Sequence, residues 1–145
     1  MRQLRQCAAL PYVEVDGRKL VLLVTTRGRG HWTIPKGWPK AKLSDRALAE
    51  LEAYEEAGVK GEMAKDPFGT YDYIKRLHFF AWISCRVTVY PLLVDRQLLV
   101  WPERDSRKLV WADPQDAASL VKIGQLKQLL RAFGETRVAD TTAAS

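Results

Sequence analysis

The chain has 145 residues, of which 47% are hydrophobic, so its length and composition predict one domain with a single core. No stretch approaches the roughly twenty apolar residues of a membrane-spanning helix, and residues 1–5 lead into mixed polar sequence instead of the apolar segment of an export signal. The formal net charge of +6 favours an anionic partner, and the other features predict a cytoplasmic protein without membrane contact.

A β-hairpin is predicted at the start of the chain. Residues 5–14 and 18–26 have the composition of strands, and the Asp16-Gly17 pair between them is a strong turn signal. Cys7 lies in the first strand and Cys85 in a later one, without the spacing of a disulfide framework or a metal site. Both are predicted to be buried thiols, which suits a reducing cytoplasm.

The next segment predicts a strand, a glycine-containing loop and a helix. Residues 32–39 have the pattern of a short strand that enters a loop whose Pro and Gly residues restrict the backbone. Either Ser44 or Asp45 can cap a helix over residues 44–57, and Gly58 is a typical stop signal. The apolar residues at helical spacing are Ala47, Leu48, Leu51 and Tyr54.

The rest of the chain predicts further strands and then two helices. Residues 60–73 and 77–93 are rich in β-branched and aromatic side chains, and residues 108–111 could add one short strand. Asp113-Pro114 can cap a helix that reaches Val121, and residues 123–133 repeat Leu at helical spacing. Residues 134–145 are small and polar, so we predict a single domain over residues 1–133 and a disordered tail.

Three carboxylates stand close together near the end of the acidic helix. Glu52 precedes both Glu55 and Glu56 by about one turn, which places the three on one face. Like charges at this spacing repel one another. A solvated acidic face is one interpretation of the pattern, and a bound divalent cation is the other. Hard ions such as Mg²⁺ or Mn²⁺ take oxygen ligands and are shared between protein carboxylates and substrate phosphates.

With its preceding loop, the acidic helix resembles the signature of the Nudix hydrolase family. That signature has Gly, five residues, Glu, seven residues, Arg-Glu, an aliphatic residue, any residue, Glu-Glu, any residue, Gly and an aliphatic residue. An ungapped alignment matches it at Gly37, Glu52, Glu55, Glu56, Gly58 and Val59. The chain departs from it at Leu43, where the signature has its first Glu, and at Leu51, where it has Arg.

The resemblance implies an α/β fold, the Nudix-type α/β/α sandwich with a mixed β-sheet, over about residues 5–133. Segments outside the acidic helix are similar to the bacterial branch related to diphosphoinositol polyphosphate phosphohydrolases. These segments are residues 32–39, 73–77, 101–103 and 110–118. The family's reaction is the metal-dependent hydrolysis of a diphosphate linkage, so the resemblance implies a phosphoric anhydride hydrolase.

The resemblance also implies roles for individual residues. Glu52, Glu55 and Glu56 would hold Mg²⁺ or Mn²⁺. The backbone carbonyl of Lys36 would be a further ligand, and Gly37 would let that backbone turn toward the metal without a Cβ atom in the way. Either Glu52 or Glu56 would orient or deprotonate the attacking water as a general base.

Two further positions bear on the same site. A carboxylate from a later loop often completes such sites in the family, and Glu103 is the candidate, although a solvated loop acid is an equal interpretation. The Arg that Leu51 replaces orients a glutamate in the family through a charge-assisted pair. A metal or another cation would have to hold Glu52 instead, and the nearby cations are Lys36, Lys42 and Arg46.

The basic residues predict a small-molecule polyphosphate as substrate. The candidates for substrate binding are Arg27, Arg29, Lys36, Lys75 and Arg76, and another basic cluster spans residues 104–108. A cleft lined with one sign of charge attracts a polyanion. A dinucleoside polyphosphate, a diphosphoinositol polyphosphate or a nucleoside diphosphate derivative would each fit, bound by a monomer or a homodimer.

A second class of function stays open, in which a Nudix-fold protein binds polyphosphate or nucleic acid with weak or no hydrolysis. The net charge of +6, the five Trp residues and the loss of Arg at Leu51 favour this alternative. No zinc-ligand, helix-turn-helix or ribonucleoprotein motif is present, so a nucleic acid is not expected as a partner. The three glutamates favour hydrolysis, because acids beside phosphates weaken binding unless a metal intervenes.

Overall fold

The computed structural model describes residues 3–136 of the chain. Its strands are β1 (Gln3–Val15), β2 (Arg18–Thr25), β3 (Trp32–Thr33), β4 (Lys36–Gly37), β5 (Val59–Met63), β6 (Gly69–His78), β7 (Ala81–Gln97) and β8 (Leu109–Ala112). Its helices are α1 (Asp45–Ala57), α2 (Pro114–Leu120) and α3 (Gly124–Glu135), with a 3₁₀ turn at Arg104–Ser106. The predicted hairpin, acidic helix and C-terminal helices are confirmed, and the predicted strand region 60–73 divides into β5 and the first half of β6.

The strands of the described residues form one mixed sheet. Its main path is β3-β2-β1-β7-β5, with β4 beside β1, β6 beside β7 and β8 beside β2. β1 and β7 run parallel from the Gln3↔Ser84 pair to the Tyr12↔Leu93 pair. The other neighbouring strands are antiparallel. The parallel pair joins the start of the chain to its middle, and both β4 and β6 flank it.

Helices cover both faces of this sheet. On one face, α1 packs against β1, β4 and β5, and its Ala49 and Ala53 are fully buried. Small side chains let a helix lie close to a sheet without a void. On the other face, α2 and α3 bury Leu126, Leu130 and Phe133 in a separate cluster. The predicted α/β/α sandwich with a mixed sheet is therefore confirmed.

The two ends of α1 are set by the residues that the sequence singled out. Of the two candidate N-caps, Ser44 has the role, because its hydroxyl accepts a hydrogen bond of 3.1 Å from the backbone N–H of Ala47. Gly58 ends the helix with φ of 66°, in the left-handed region. A Cβ atom at Gly58 would also lie 2.3 Å from Cδ2 of Trp101. Only glycine fits both the backbone and the space at this position.

The C-terminal end differs slightly from the prediction. α3 continues to Glu135, past the predicted domain boundary at residue 133, and residues 137–145 of the predicted tail lie outside the described residues. Cys7 and Cys85 are free and buried, as predicted. Within residues 3–136, no helix has the length and apolar character needed to cross a membrane.

Candidate active site

The spacing of the acids on α1 places them in a cavity of about 630 Å³, which we call the site cavity. It opens between α1, β4 with its following loop, β6 and the segment after β7. Its charged lining residues are Arg27, Lys36, Lys40, Glu52, Glu55, Glu56, Lys75, Glu103 and Arg107. Acids and bases from distant parts of the chain therefore meet in one place.

Glu52 and Glu56 are the buried acids of the site cavity. They lie four residues apart on α1, and their exposed fractions are only 7% and 3%. Both are turned toward β4, where the backbone N–H of Lys36 donates a hydrogen bond of 3.3 Å to Oε2 of Glu56. Glu55 lies on the more exposed side of the helix and also lines the cavity. The three glutamates are thus together, as predicted, but in two different environments.

Gly37 contacts Glu52 so closely that no side chain fits there. A Cβ atom at Gly37 would lie 2.3 Å from Oε1 and 2.4 Å from Cδ of Glu52. The backbone of Gly37 has no positive φ, so the reason for glycine is space and not conformation. The glycine of the signature therefore lets β4 and the Glu52 side chain approach each other.

Burial and crowding keep a proton on the pair of buried glutamates. Burial, together with a hydrogen bond that protonated Glu56 donates to the Glu52 carboxylate and the negative charge of that group, raises the pKa of Glu56 to about 9, while Arg107 and Lys36 oppose the shift. Burial lowers the pKa of Lys36, although the Glu56 charge partly offsets it. Two carboxyl groups in contact share a hydrogen bond only if one of them is protonated. A cation placed between them would replace that proton.

Arg107 is a site residue that the sequence analysis did not single out. Its guanidinium lies 2.8 Å from Oε1 of Glu103 and 3.6 Å from Oε1 of Glu56, and its exposed fraction is 10%. It also donates to the carbonyl of Thr25 at 2.9 Å. The available signals were its place in the basic cluster 104–108 and the four-residue spacing to Glu103. Neither signal could show that it reaches α1.

Lys40 is a second missed residue, and it bears on the loss of Arg at position 51. Its Nζ lies 3.5 Å from Oε1 of Glu52 and 3.9 Å from Oε1 of Glu55. Of the cations predicted to replace that Arg, Lys36 lines the site cavity and Lys42 does not. Arg46 is turned away, because it donates to the carbonyls of Met63 and Ala64. Among the described residues, the cation that forms an ion pair with Glu52 is therefore Lys40.

Glu103 lines the site cavity, as the hypothesis of a later loop carboxylate requires. Its loop is attached to the end of α1, since the backbone N–H of Glu103 donates to the carbonyl of Glu55 at 2.9 Å and the indole N–H of Trp101 donates to the carbonyl of Glu56 at 3.3 Å. The Glu103 carboxylate pairs with Arg107 and, at 3.6 Å, with Arg27. Its role as a metal ligand stays a prediction.

The predicted substrate-binding residues divide between two cavities. Arg27, Lys36 and Lys75 line the site cavity. Arg29 and Arg76 do not, and they line an adjoining cavity together with Arg27 and Lys75. Gly58 lies outside both linings and acts at the end of α1. Their roles in binding a substrate remain predictions.

The carboxylate oxygens of the site cavity are ligands of the type that a hard divalent cation prefers. Within the described part of the chain, no group of three or more Asp, Glu, His or Cys side chains converges closely enough to hold a metal ion. The carboxyl groups of Glu52 and Glu56 lie close to each other, and Glu55 faces Lys40. Buried carboxylates in contact are nevertheless stabilised by an intervening cation, and oxygen ligands are those that Mg²⁺ and Mn²⁺ prefer. Such an ion would take the place of the shared proton and of Lys40.

Comparisons with known proteins agree on one family. No family model matches the chain. The chain is 27% identical over 126 residues to "Nudix hydrolase 13, mitochondrial" of Arabidopsis thaliana, an alignment that covers 83% of this chain and 62% of the plant protein. It is 27% identical to "Bis(5'-nucleosyl)-tetraphosphatase [asymmetrical]" of Sus scrofa, over 84% of this chain and 82% of the pig protein.

A solved structure supports the same fold. The C. elegans Ap4A hydrolase binary complex superposes with a TM-score of 0.68 at 19% identity, covering 90% of this chain and 94% of that chain. The chain spans about three fifths of the plant relatives' length, with 62% for two of those proteins and 57% for another. The likeness therefore concerns only part of those longer proteins.

Proposed function

We propose that the chain is a member of the Nudix family and that it hydrolyses a diphosphate linkage in a metal-dependent reaction, as its similarity to curated Nudix hydrolases supports. The observation that carries the proposal is the meeting of Glu52, Glu55 and Glu56 with the cations of one cavity. The substrate would be a nucleoside diphosphate derivative, a dinucleoside polyphosphate or a diphosphoinositol polyphosphate. The relation to a bacterial branch stays a prediction, since the relatives named above come from a plant and an animal.

The glutamates of α1 would hold Mg²⁺ or Mn²⁺, with Glu103 and the backbone carbonyl of Lys36 as the further ligands that we propose. When bound, such an ion neutralises phosphate oxygens and lowers the pKa of an attacking water. The protein's contribution is to keep the carboxylates in position. The short contact between Gly37 and Glu52 and the hydrogen bond from Lys36 to Glu56 both serve this purpose.

Either Glu52 or Glu56 would act as the general base. Both are buried beside the loop that carries Lys36, and a buried carboxylate that loses its proton becomes a stronger base than one in water. Arg107 would balance the charge of Glu56 once the proton has left, because its guanidinium lies 3.6 Å from that carboxylate. We therefore assign Arg107 the role of a positioning residue.

The cations of the site cavity would bind the phosphate oxygens of the substrate. Lys36, Lys75 and Arg27 line it beside the acids, so a phosphate that enters can contact Lys or Arg while the glutamates face the metal. The similarity to the pig bis(5'-nucleosyl)-tetraphosphatase favours a dinucleoside polyphosphate among the three substrate classes.

The test measures phosphate and nucleotide release with Mg²⁺, with Mn²⁺ and without metal. The panel contains diadenosine polyphosphates, diphosphoinositol polyphosphates, nucleoside triphosphates and nucleotide sugars. Glu56→Gln should abolish metal-dependent turnover and leave the protein folded. Glu50→Gln is the matched control, because Glu50 is an exposed acid on the same helix, outside the site cavity. Full activity in Glu56→Gln would show that the site is wrongly assigned.

A polyphosphate-binding protein with little hydrolysis is the second candidate. Two observations favour it: Leu51 stands in place of the orienting Arg, and the carboxylates of the described residues do not converge on one metal position. This candidate predicts binding of the same panel without turnover, and binding that weakens steeply as salt is added. Metal-dependent turnover of any compound would eliminate it.

A further inference from the structure

A second cavity adjoins the site cavity and has a different charge. It has a volume of about 620 Å³ and lies between the loop after β2 and the end of β6. We call it the basic cavity, and its principal lining residues are Arg27, Arg29, His31, Lys75, Arg76 and Phe79. None of the described residues that line it is Asp or Glu. The site cavity, in contrast, contains four glutamates.

The two cavities share three lining residues and are therefore neighbours. Thr26, Arg27 and Lys75 line both of them. A ligand held at the glutamates can therefore extend past Arg27 and Lys75 into the basic cavity. The part of the ligand that enters would meet Arg29 and Arg76 and no carboxylate from the described lining.

The cations of the basic cavity have little competition from acids within the protein. Arg27 forms one long ion pair, of 3.6 Å, with Glu103. Between residues 3 and 136, the structure shows no ion pair from Arg29, Lys75 or Arg76 to a carboxylate. A cleft with positive charge alone concentrates polyanions, and phosphate oxygens are well matched to guanidinium groups.

Aromatic rings hold two of these cations in place. The guanidinium of Arg76 lies 5.1 Å from the ring centroid of Phe79 and 5.9 Å from that of Trp82. Nζ of Lys75 lies 5.3 Å from the ring centroid of Trp38. A cation stacked on a ring keeps its N–H groups available to an incoming anion and loses less side-chain freedom when it binds one.

We propose that the basic cavity binds the substrate phosphates that lie beyond the scissile diphosphate linkage. The site cavity needs a metal to accept phosphate beside its glutamates, whereas the basic cavity needs none. Substrates with several clustered phosphates are therefore preferred over simple diphosphate diesters. This inference rests on the proposed function, and the clustered phosphates can belong either to a long chain between two nucleosides or to a phosphorylated inositol ring.

Direct binding tests the cavity without any turnover. Inorganic tripolyphosphate and pyrophosphate are titrated into the full-length protein by calorimetry in EDTA. The double variant Arg29→Gln/Arg76→Gln should weaken tripolyphosphate binding by about tenfold or more, a change of about 1.4 kcal/mol. Pyrophosphate binding should weaken as well, because without metal the basic cavity is the site proposed for both anions. The control is Arg96→Gln/Arg131→Gln, which removes two exposed arginines that line neither cavity.

The inference is wrong if the double variant binds tripolyphosphate as tightly as the control does. Thermal unfolding of each variant identifies loss of fold, and single Arg29→Gln and Arg76→Gln variants replace a double variant that does not fold. If binding depends on these arginines but no substrate is hydrolysed, the proposed function is wrong and the basic cavity remains a polyphosphate-binding site.

Kinetics then separates the two sources of phosphate. In an active protein, the double variant should raise KM for diadenosine pentaphosphate more than for diadenosine triphosphate if the source is a chain. A larger rise for a diphosphoinositol polyphosphate than for either diadenosine compound would indicate an inositol ring. Equal rises for all compounds, including a nucleotide sugar, would contradict selection by phosphate number.

Discussion

The guanidinium of Arg107 lies 3.6 Å from the carboxylate of Glu56, and both side chains are largely buried. One comes from the segment before β8 and the other from the C-terminal end of α1, so the pair connects two sides of the site cavity. Arg107 also holds Glu103 at 2.8 Å. Arg107 therefore contacts two acids of the site cavity, Glu56 and Glu103, before any metal binds.

Replacing Arg107 by Met should destabilise the metal-free protein by about 3 kcal/mol, because removal of one partner leaves buried charge without compensation. Urea unfolding in EDTA measures the change. Lys108→Met is the control, since that neighbouring lysine is exposed and makes its contact to Thr25 through the backbone N–H. Equal stability in the two variants would contradict the structural importance of the Arg107 pair.

Gly37→Ala should lower kcat/KM by roughly a hundredfold, because misplacing a reacting group by about 1 Å can have an effect of that size. The new Cβ atom would lie 2.3 Å from Oε1 of Glu52, so either that side chain or β4 must move. Gly124→Ala provides the comparison, since a Cβ atom at Gly124 meets no atom within 4 Å. An active Gly37→Ala protein would mean that Glu52 is not required where the structure places it.

The metal-free protein should lose stability as pH rises from about 5 to 8. The pKa of Glu56 is about 9 in the folded state against an ordinary value of 4.5, chiefly because the group is buried. In this interval the folded state binds the extra proton, so the free energy of unfolding falls with pH. The lowered pKa of Lys36 changes the free energy of unfolding with pH in the opposite direction. The comparison with Glu56→Gln isolates the contribution of Glu56, because this variant keeps Lys36.

The measurement is the free energy of unfolding at several pH values, in EDTA, for the wild type and Glu56→Gln. The wild-type slope should be negative and the slope of the variant should be flatter. Saturating Mn²⁺ should also flatten the wild-type slope, since a bound cation replaces the proton. Identical slopes for wild type and variant would remove Glu56 as the titrating group.

Lys40→Met should tighten Mn²⁺ binding by a few-fold, because Nζ of Lys40 stands 3.5 Å from Glu52 and 3.9 Å from Glu55 and competes with the metal. The effect is modest because Lys40 is partly exposed and water screens its charge. Calorimetric titration with Mn²⁺ gives the affinity, and Lys65→Met is the control at an exposed site outside the site cavity. Weaker Mn²⁺ binding in Lys40→Met would mean that the lysine supports the metal site instead.

Local sequence determined the ends of α1 and the position of the acids. Ser44 and Gly58 set the ends, and helical geometry alone places Glu52 and Glu56 on one face. The predicted apolar stripe was wrong except at Leu48, because α1 buries Ala49, Ala53 and Ala57 against the sheet instead. The turn at Asp16 and Gly17 likewise needs only residues that accept positive φ, which are 52° and 75° there. Such features depend on neighbours within a few positions, so a single sequence is sufficient to predict them.

The tertiary structure alone decided which cations reach the acids. Arg107 pairs with Glu56 and Lys40 pairs with Glu52, whereas the predicted Arg46 turns to the carbonyls of Met63 and Ala64. It also placed Arg29 and Arg76 outside the site cavity, in the adjoining basic cavity. These contacts depend on the parallel pairing of β1 with β7 and on the loop that Trp101 holds against α1. Long-range packing of this kind leaves no periodic pattern in the sequence, because residues far apart in the chain meet only after the sheet has formed.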